Sequence, residues 1–229
     1  MTGPLEGIRV VELGVWVAGP AAGGILADWG ADVVKIEPPT GDPGRLFGAM
    51  MGLDDGSSPP FDRDNRSKRS IVLDLTTDGG QATARQLVAG ADVFITNVRP
   101  DALRRLALDY PSVAELNPRL VYGLITGYGE KGPDANRPAY DIAAFWARSG
   151  VADLLTRPGD TPPFQRGGMG DHLTGMTLAA AVNAALVARA RTGEGQLVST
   201  SLYRQGAYTV SFDLNTFLLT GRPIAIGQR

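Results

Sequence analysis

Short runs of β-branched and aliphatic residues recur along the first half of the chain, each followed by a turn and then a helix-like stretch. Ile8 to Leu13, Asp32 to Ile36, Val93 to Thr96 and Leu120 to Ile125 are such runs. Strand-length apolar segments that alternate with helical ones predict a parallel sheet with helices on its faces, in the α/β class. A further run, Ser70 to Leu75, alternates apolar and polar residues and is expected to be a less buried or edge strand.

Between these strands, Ala21 to Trp29 and Gly79 to Val88 read as helices, with Gly30 and Gly90 placed to act as left-handed caps. The stretch from Pro38 to Pro60 is rich in Gly, Pro, Asp and Ser and too long for an ordinary connection, so it is expected to cover a ligand. A second turn-dense stretch, TRPGDTPPFQRGGMGD, precedes a long Ala-rich helix expected from about His172 to Ala190. The pattern continues with a strand at Gln196 to Thr200 and one mixed apolar helix over Ser201 to Leu219. It stops at GRPIAIGQR without a closing element.

Composition narrows the chemistry. The 229 residues contain no cysteine and one histidine, which excludes a thiolate nucleophile, a cysteine-ligated metal and a multi-histidine metal site within one chain. Covalent chemistry therefore falls to oxygen or lysine, and no metal is expected. The opening MTGPLEGIRVVELG lacks the basic and apolar regions of a secretory signal, so a cytoplasmic protein beginning at Met1 is expected. Leu173 to Ala188 carries no charge but is shorter than the ~20 apolar residues that span a bilayer, and reads as a buried helix rather than a membrane anchor. A formal net charge of −2, without a basic stripe, gives no attraction to nucleic acid.

Three segments carry candidate chemistry. GVWVAGPAAGG, Gly14 to Gly24, lies after the first strand, where a nucleotide-binding fold places its phosphate-cradling turn. Its glycines do not spell G-x-G-x-x-G or a P-loop, so neither NAD nor a P-loop nucleotide is supported. A tight turn with close helix packing explains them equally well. Arg66, Lys68 and Arg69 precede one strand, while Asn97, Arg99, Arg104 and Arg105 follow the next. Such side chains suit a phosphorylated nucleotide, and they equally suit a solvated surface. Asp171, in GGMGDHLTGM, follows a glycine-rich approach and precedes an apolar helix. It is a candidate N-cap and a candidate nucleophile, kept ionised by the helix dipole. His172 is expected to diverge from it and to be structural, and the absence of G-x-S-x-G removes a serine hydrolase.

Taken together, PLEGIRVVEL, VAGPAAGGILADWGADVVKIEPP, NRSKRSIVLDL, ADVFITNVRPDALRRL, LNPRLVYGLITGYGEKGP, PAYD, GDHLTG and TGEGQLV resemble the family III CoA-transferases, in order and spacing, over nearly the whole chain. This group also contains α-methylacyl-CoA racemase. The resemblance implies a doubly wound, Rossmann-like CoA-binding domain in an interlocked homodimer, with Asp171 as the nucleophile. It places coenzyme contacts at Val17 and Ala18, at Leu73, Asp74, Leu75 and Thr76, at Asn97, Val98 and Arg99, at Arg105, and at Arg137 and Tyr140. No cofactor is held permanently; coenzyme A and acyl-CoA enter as substrates, with a carboxylic acid as acceptor. Asp171 would pass through an anhydride and an aspartyl-CoA thioester.

Two departures direct the reading. Racemase members carry a histidine where this chain has Tyr140, which makes racemisation or epimerisation the weaker alternative. Formyl-CoA transferases carry glutamine where this chain has Val17, which points to a more apolar acyl group. Members of the family also continue into a small domain. Residues 1–229 are therefore expected to be the N-terminal part of the large domain, ending in a helix that leads toward a missing small domain. A complementary C-terminal chain would supply that domain, or the chain would be a non-catalytic CoA-binding subunit.

Overall fold

A computed structural model describes residues 3–224. Of the expected ending Ile224 to Arg229, all but Ile224 lies outside the described residues, as do Met1 and Thr2 of the opening segment. The elements in chain order are β1 (Arg9–Leu13), α1 (Ala18–Asp28), β2 (Asp32–Glu37), a 3-10 turn (Pro43–Leu46), α2 (Phe47–Met50), α3 (Pro59–Asn65) and β3 (Arg69–Val72). Next come α4 (Asp78–Ala89), β4 (Val93–Thr96), α5 (Pro100–Arg105), α6 (Tyr110–Leu116), β5 (Val121–Thr126) and a π-helical turn (Ile142–Ala147). The chain continues with α7 (Val151–Leu154), α8 (Met169–Thr192), β6 (Gln196–Ser201), α9 (Leu202–Thr209) and α10 (Ser211–Thr220).

All strand pairings are parallel, in the order β3-β2-β1-β4-β5-β6. The strands read as continuous apolar runs because both faces of the sheet are covered. On one face Val10, Val33, Val93, Ile95 and Val121 pack against Ala22 and Leu26 of α1 and Leu178 and Val182 of α8. On the other, Val11, Ile36, Phe94, Tyr122 and Leu124 meet Ala84, Val88, Leu103 and Val113. β3 is the edge strand, as its alternation predicts, but it ends at Val72, so Leu73 to Leu75 belong to the turn that follows. Strand order reverses between β1 and β4, and in sheets of this kind the crevice outside the carboxyl ends at that reversal takes the ligand.

Close packing accounts for the glycines after β1 and for one on α8. A Cβ on Gly23 would lie 2.0 Å from Glu12 Oε2, and one on Gly175 of α8 would lie 2.8 Å from the Ala18 carbonyl oxygen and 3.0 Å from Ala21 Cβ. The two helices approach with backbone nearly touching backbone. Gly175→Ala should therefore cost about 1–3 kcal/mol in urea unfolding, the range for overpacking a filled core; an unchanged midpoint would show that the α1–α8 seam opens freely.

Some expectations are corrected. Gly30 does take a left-handed conformation (φ 96°), but Gly90 does not (φ −89°), and α4 ends on ordinary backbone bonds. The helix expected from His172 begins earlier, at Met169, and runs for 24 residues, long and apolar enough by length and composition to cross a bilayer. It is not buried all round: its inner face packs on α1 and the sheet, while Met176 and Val187 face outward. The expected single helix over Ser201 to Leu219 is two, divided at Val210.

Candidate active site

A cavity of about 380 Å³ lies at the carboxyl ends of β1, β4 and β5, at the topological reversal. Each wall follows from a strand ending there. Val15, Trp16 and Ala18 come from the β1–α1 turn, Asn97, Arg99 and Pro100 from the β4–α5 turn, and Thr126 and Gly127 from the end of β5. The segment preceding the π-helical turn supplies Arg137 and Tyr140, and the start of α8 supplies Asp171.

Asp171 is brought there by local backbone chemistry. Gly168 caps α8 in a left-handed conformation (φ 73°), and the next glycine, Gly170, lets the first turn lie directly on Phe145, where a Cβ would fall 2.4 Å from the ring. The buried Asp141 carboxylate accepts hydrogen bonds from Gly170 N (3.2 Å) and Gln165 Nε2 (2.5 Å), fixing that turn. Asp171 is thus the third residue of the helix rather than its N-cap, and its side chain is free to face the cavity.

Its electrostatics also depart from expectation. Burial, reinforced by the charge of Asp141 and opposed by His172, pushes the Asp171 carboxyl up to about 7. The helix dipole does not keep it fully ionised, because desolvation outweighs a terminal dipole worth at most ~2 kcal/mol. The ring of His172 turns to α3. Its Nε2 sits 3.1 Å from both carboxylate oxygens of the buried Asp64, a bond that raises the imidazole above its ordinary value and ties α8 to α3.

Of the residues singled out from the sequence, Ala18, Asn97, Arg99, Arg137, Tyr140 and Asp171 line this cavity together. Val17 is buried beside Gly168. Leu73 to Thr76 lie beyond the edge strand, where Asp74 Oδ1 caps the turn by accepting from Thr76 N (2.9 Å), while Val98, in the β4–α5 turn, and Arg105, at the end of α5, do not line the cavity. The basic run before β3 does not gather around a nucleotide. Lys68 is buried on Glu12 (2.8 Å), Arg66 pairs with Asp28, and Arg69 pairs with Asp32 (2.6 Å) at the amino edge of the sheet, opposite the cavity. The excursion from Pro38 to Pro60 does not line the cavity either; its Phe47 packs 5.5 Å from the Trp16 ring and supports it from behind.

Sequence reasoning passed over Trp16 and Thr126, and with them a buried charge network. Lys35 pairs with Glu12 and Asp42 at 2.8 Å each, and Asp42 Oδ1 accepts from Trp16 N (3.0 Å). The signal was present: Glu12 and Lys35 interrupt two apolar strands at paired register positions. Among the described residues, no group of three or more His, Asp or Glu side chains is placed to hold a metal ion.

The CoA-transferase family III matches residues 5–229. The chain is 42% identical over 209 residues to a cinnamoyl-CoA:phenyllactate CoA-transferase of Clostridium sporogenes, covering 90% of this chain and 51% of that protein. It is also 42% identical over 227 residues to a succinate–glutarate CoA-transferase of Agrobacterium fabrum, covering 96% and 56%. A crystal structure of a CAIB/BAIF family protein from Brucella suis superposes with a TM-score of 0.91 at 38% identity, over 98% of this chain and 60% of that one. The chain spans about half the length of the curated relatives it matches. With this match running almost from end to end and the same fold in a solved relative, the chain belongs to the CoA-transferase family III.

Proposed function

We propose that the protein transfers coenzyme A from an acyl-CoA donor to a carboxylic acid through an aspartyl-CoA thioester on Asp171. The observation that carries this reading is the Asp171 carboxyl, set in the crevice at the strand reversal of a chain from this family. Its carboxylate oxygen attacks the thioester carbonyl and the CoA thiolate leaves, giving a mixed anhydride. The thiolate then attacks the aspartyl carbonyl and releases the donor acid, and the acceptor carboxylate runs the same steps in reverse. A carboxyl near 7 suits this cycle, because it is a stronger nucleophile than an ordinary aspartate and still half ionised at neutral pH.

Coenzyme binding in this reading falls to Val17 and Ala18, Leu73 to Thr76, Asn97 to Arg99, Arg105, Arg137 and Tyr140, whose cavity members carry two guanidiniums suited to phosphate. The exposed apolar side chains of Tyr208, Phe212, Leu218 and Leu219 support a covering partner, and we assign that role to a second copy in an interlocked dimer. Racemisation is the weaker reading: the cavity wall carries Tyr140, 63% exposed, where an imidazole acid/base would stand.

Incubation of the full-length protein with acyl-CoA, without acceptor, followed by hydroxylamine should leave a hydroxamate on the peptide that contains Asp171. Exchange activity with no label there, or with label on another side chain, would overturn the mechanism.

A further inference from the structure

Trp16 is held in a conformation that a bulky residue rarely adopts. Its φ is 64°, in the left-handed region, where a non-glycine side chain is strained. The surroundings enforce it. Trp16 N donates to Asp42 Oδ1 (3.0 Å), and the preceding residue is gripped from both sides, Val15 N donating to Asn97 Oδ1 (2.9 Å) and Val15 O accepting from Asn97 Nδ2 (2.8 Å). Asp42 is itself buried and paired with Lys35.

The result of that enforcement is the position of one ring. The Trp16 indole is backed by Phe47 at 5.5 Å and stands edge-on to Tyr140 at 6.0 Å, and both Trp16 and Tyr140 line the cavity that holds Asp171. Ala18, Ala143, Ile125 and Leu202 complete an apolar lining. Of the two cations there, Arg137, one of the two guanidiniums assigned to phosphate, also pairs with Asp134 (3.4 Å) and lies 5.9 Å over the Tyr128 ring. Arg99 is given to the coenzyme in the reading above. Among the described residues the cavity lining holds no cation besides these two, whereas a flat apolar chain meets two aromatic rings there.

We propose that Trp16 and Tyr140 wall the acyl subsite, that this subsite selects a flat, apolar, aryl-bearing acyl chain over a short dicarboxylic one, and that Trp16 is its specificity-determining residue. The inference rests on the transferase reading and deepens it. Strain kept at one aromatic residue beside the nucleophile is the kind of local cost that persists where a side chain has a task.

The test uses the full-length protein with 3-phenylpropionyl-CoA, butyryl-CoA and succinyl-CoA as donors. Trp16→Gly is the informative variant, since glycine adopts the same φ without strain and only the indole is lost. The wild type should prefer the aryl donor to succinyl-CoA, and Trp16→Gly should lower the aryl-to-butyryl ratio of kcat/KM by about tenfold. Trp16→Phe should retain most of that ratio. It should also lose the tryptophan fluorescence change that 3-phenylpropionyl-CoA produces beyond that of free CoA. A preference for succinyl-CoA, or an unchanged ratio in Trp16→Gly, overturns the subsite while leaving the transferase reading intact. Absence of exchange with every donor and acceptor in the wild type overturns both.

Discussion

Asp171→Asn should cut CoA exchange by at least ~10³-fold while making the protein more stable at pH 8. The two effects have one origin. The folded protein holds this carboxyl at about 7, against an ordinary aspartate value near 3.8, because burial and the neighbouring Asp141 disfavour its charge. Below the unfolded value both states are protonated and the group costs nothing. As pH rises, the unfolded chain releases its proton first, so the folded state loses relative stability between about pH 4 and 7, and the loss levels off above the folded value. At pH 8 the penalty is on the order of 2–4 kcal/mol, from a shift of about three units at ~1.4 kcal/mol each, reduced for relaxation around a partly buried side chain. Asparagine removes the charge and with it the penalty. Urea unfolding of wild type and variant at pH 4 and pH 8 should give curves that nearly coincide at the lower pH and separate at the higher one. The exchange rate of the wild type should rise with pH through about 7, as the nucleophilic carboxylate forms. A variant that is inactive but no more stable at pH 8 would show that Asp171 is already well solvated and ordinary in pKa.

That cost in stability at Asp171 was only partly legible in the sequence. The fold was readable because β1, β4 and β5 are buried on both faces, so Val10 and Val11, or Phe94 and Ile95, are apolar without alternation and leave little choice but a covered parallel sheet. The position of Asp171 was readable from the resemblance and from its glycine-rich approach. Its charge state was not, because the helix dipole can be guessed from sequence whereas the burial and the proximity of Asp141, thirty positions earlier, arise only in the fold. Helix α3 begins at the end of what reads as loop and went unread, since Pro59 and Pro60 look like breakers although proline is tolerated in a first turn. Trp16 was missed for a similar reason: a left-handed tryptophan has no local sequence signature, and its conformation is set by Asp42 and Asn97 from elsewhere in the chain.

Lys35→Met should destabilise the protein by about 3–5 kcal/mol, the cost of leaving a buried charge without its partner. Lys35 is 1% exposed and stands between Glu12 and Asp42 at 2.8 Å from each, donating also to the Gly14 carbonyl oxygen at 2.8 Å. Burial works against its ammonium, but Glu12 and Asp42 outweigh that and hold its pKa above the ordinary lysine value. Glu12, with Lys35 and Lys68 beside it, is held below the ordinary carboxylate value despite complete burial. The four side chains are neutral as a set, two carboxylates against two ammoniums, and removing Lys35 leaves one uncompensated negative charge where water does not reach. Lys68 still serves Glu12, so the orphan is Asp42, the residue that fixes Trp16. It follows that Lys35→Met/Asp42→Asn should recover more than half of the lost stability. The double variant is neutral again, and an asparagine Oδ1 can still accept from Trp16 N and Gly44 N, as Asp42 does now. Urea unfolding of the two variants beside the wild type measures this directly. A double variant no more stable than Lys35→Met would mean that packing around the lysine stem, and not the balance of charge, is what Lys35 contributes to the floor of the site.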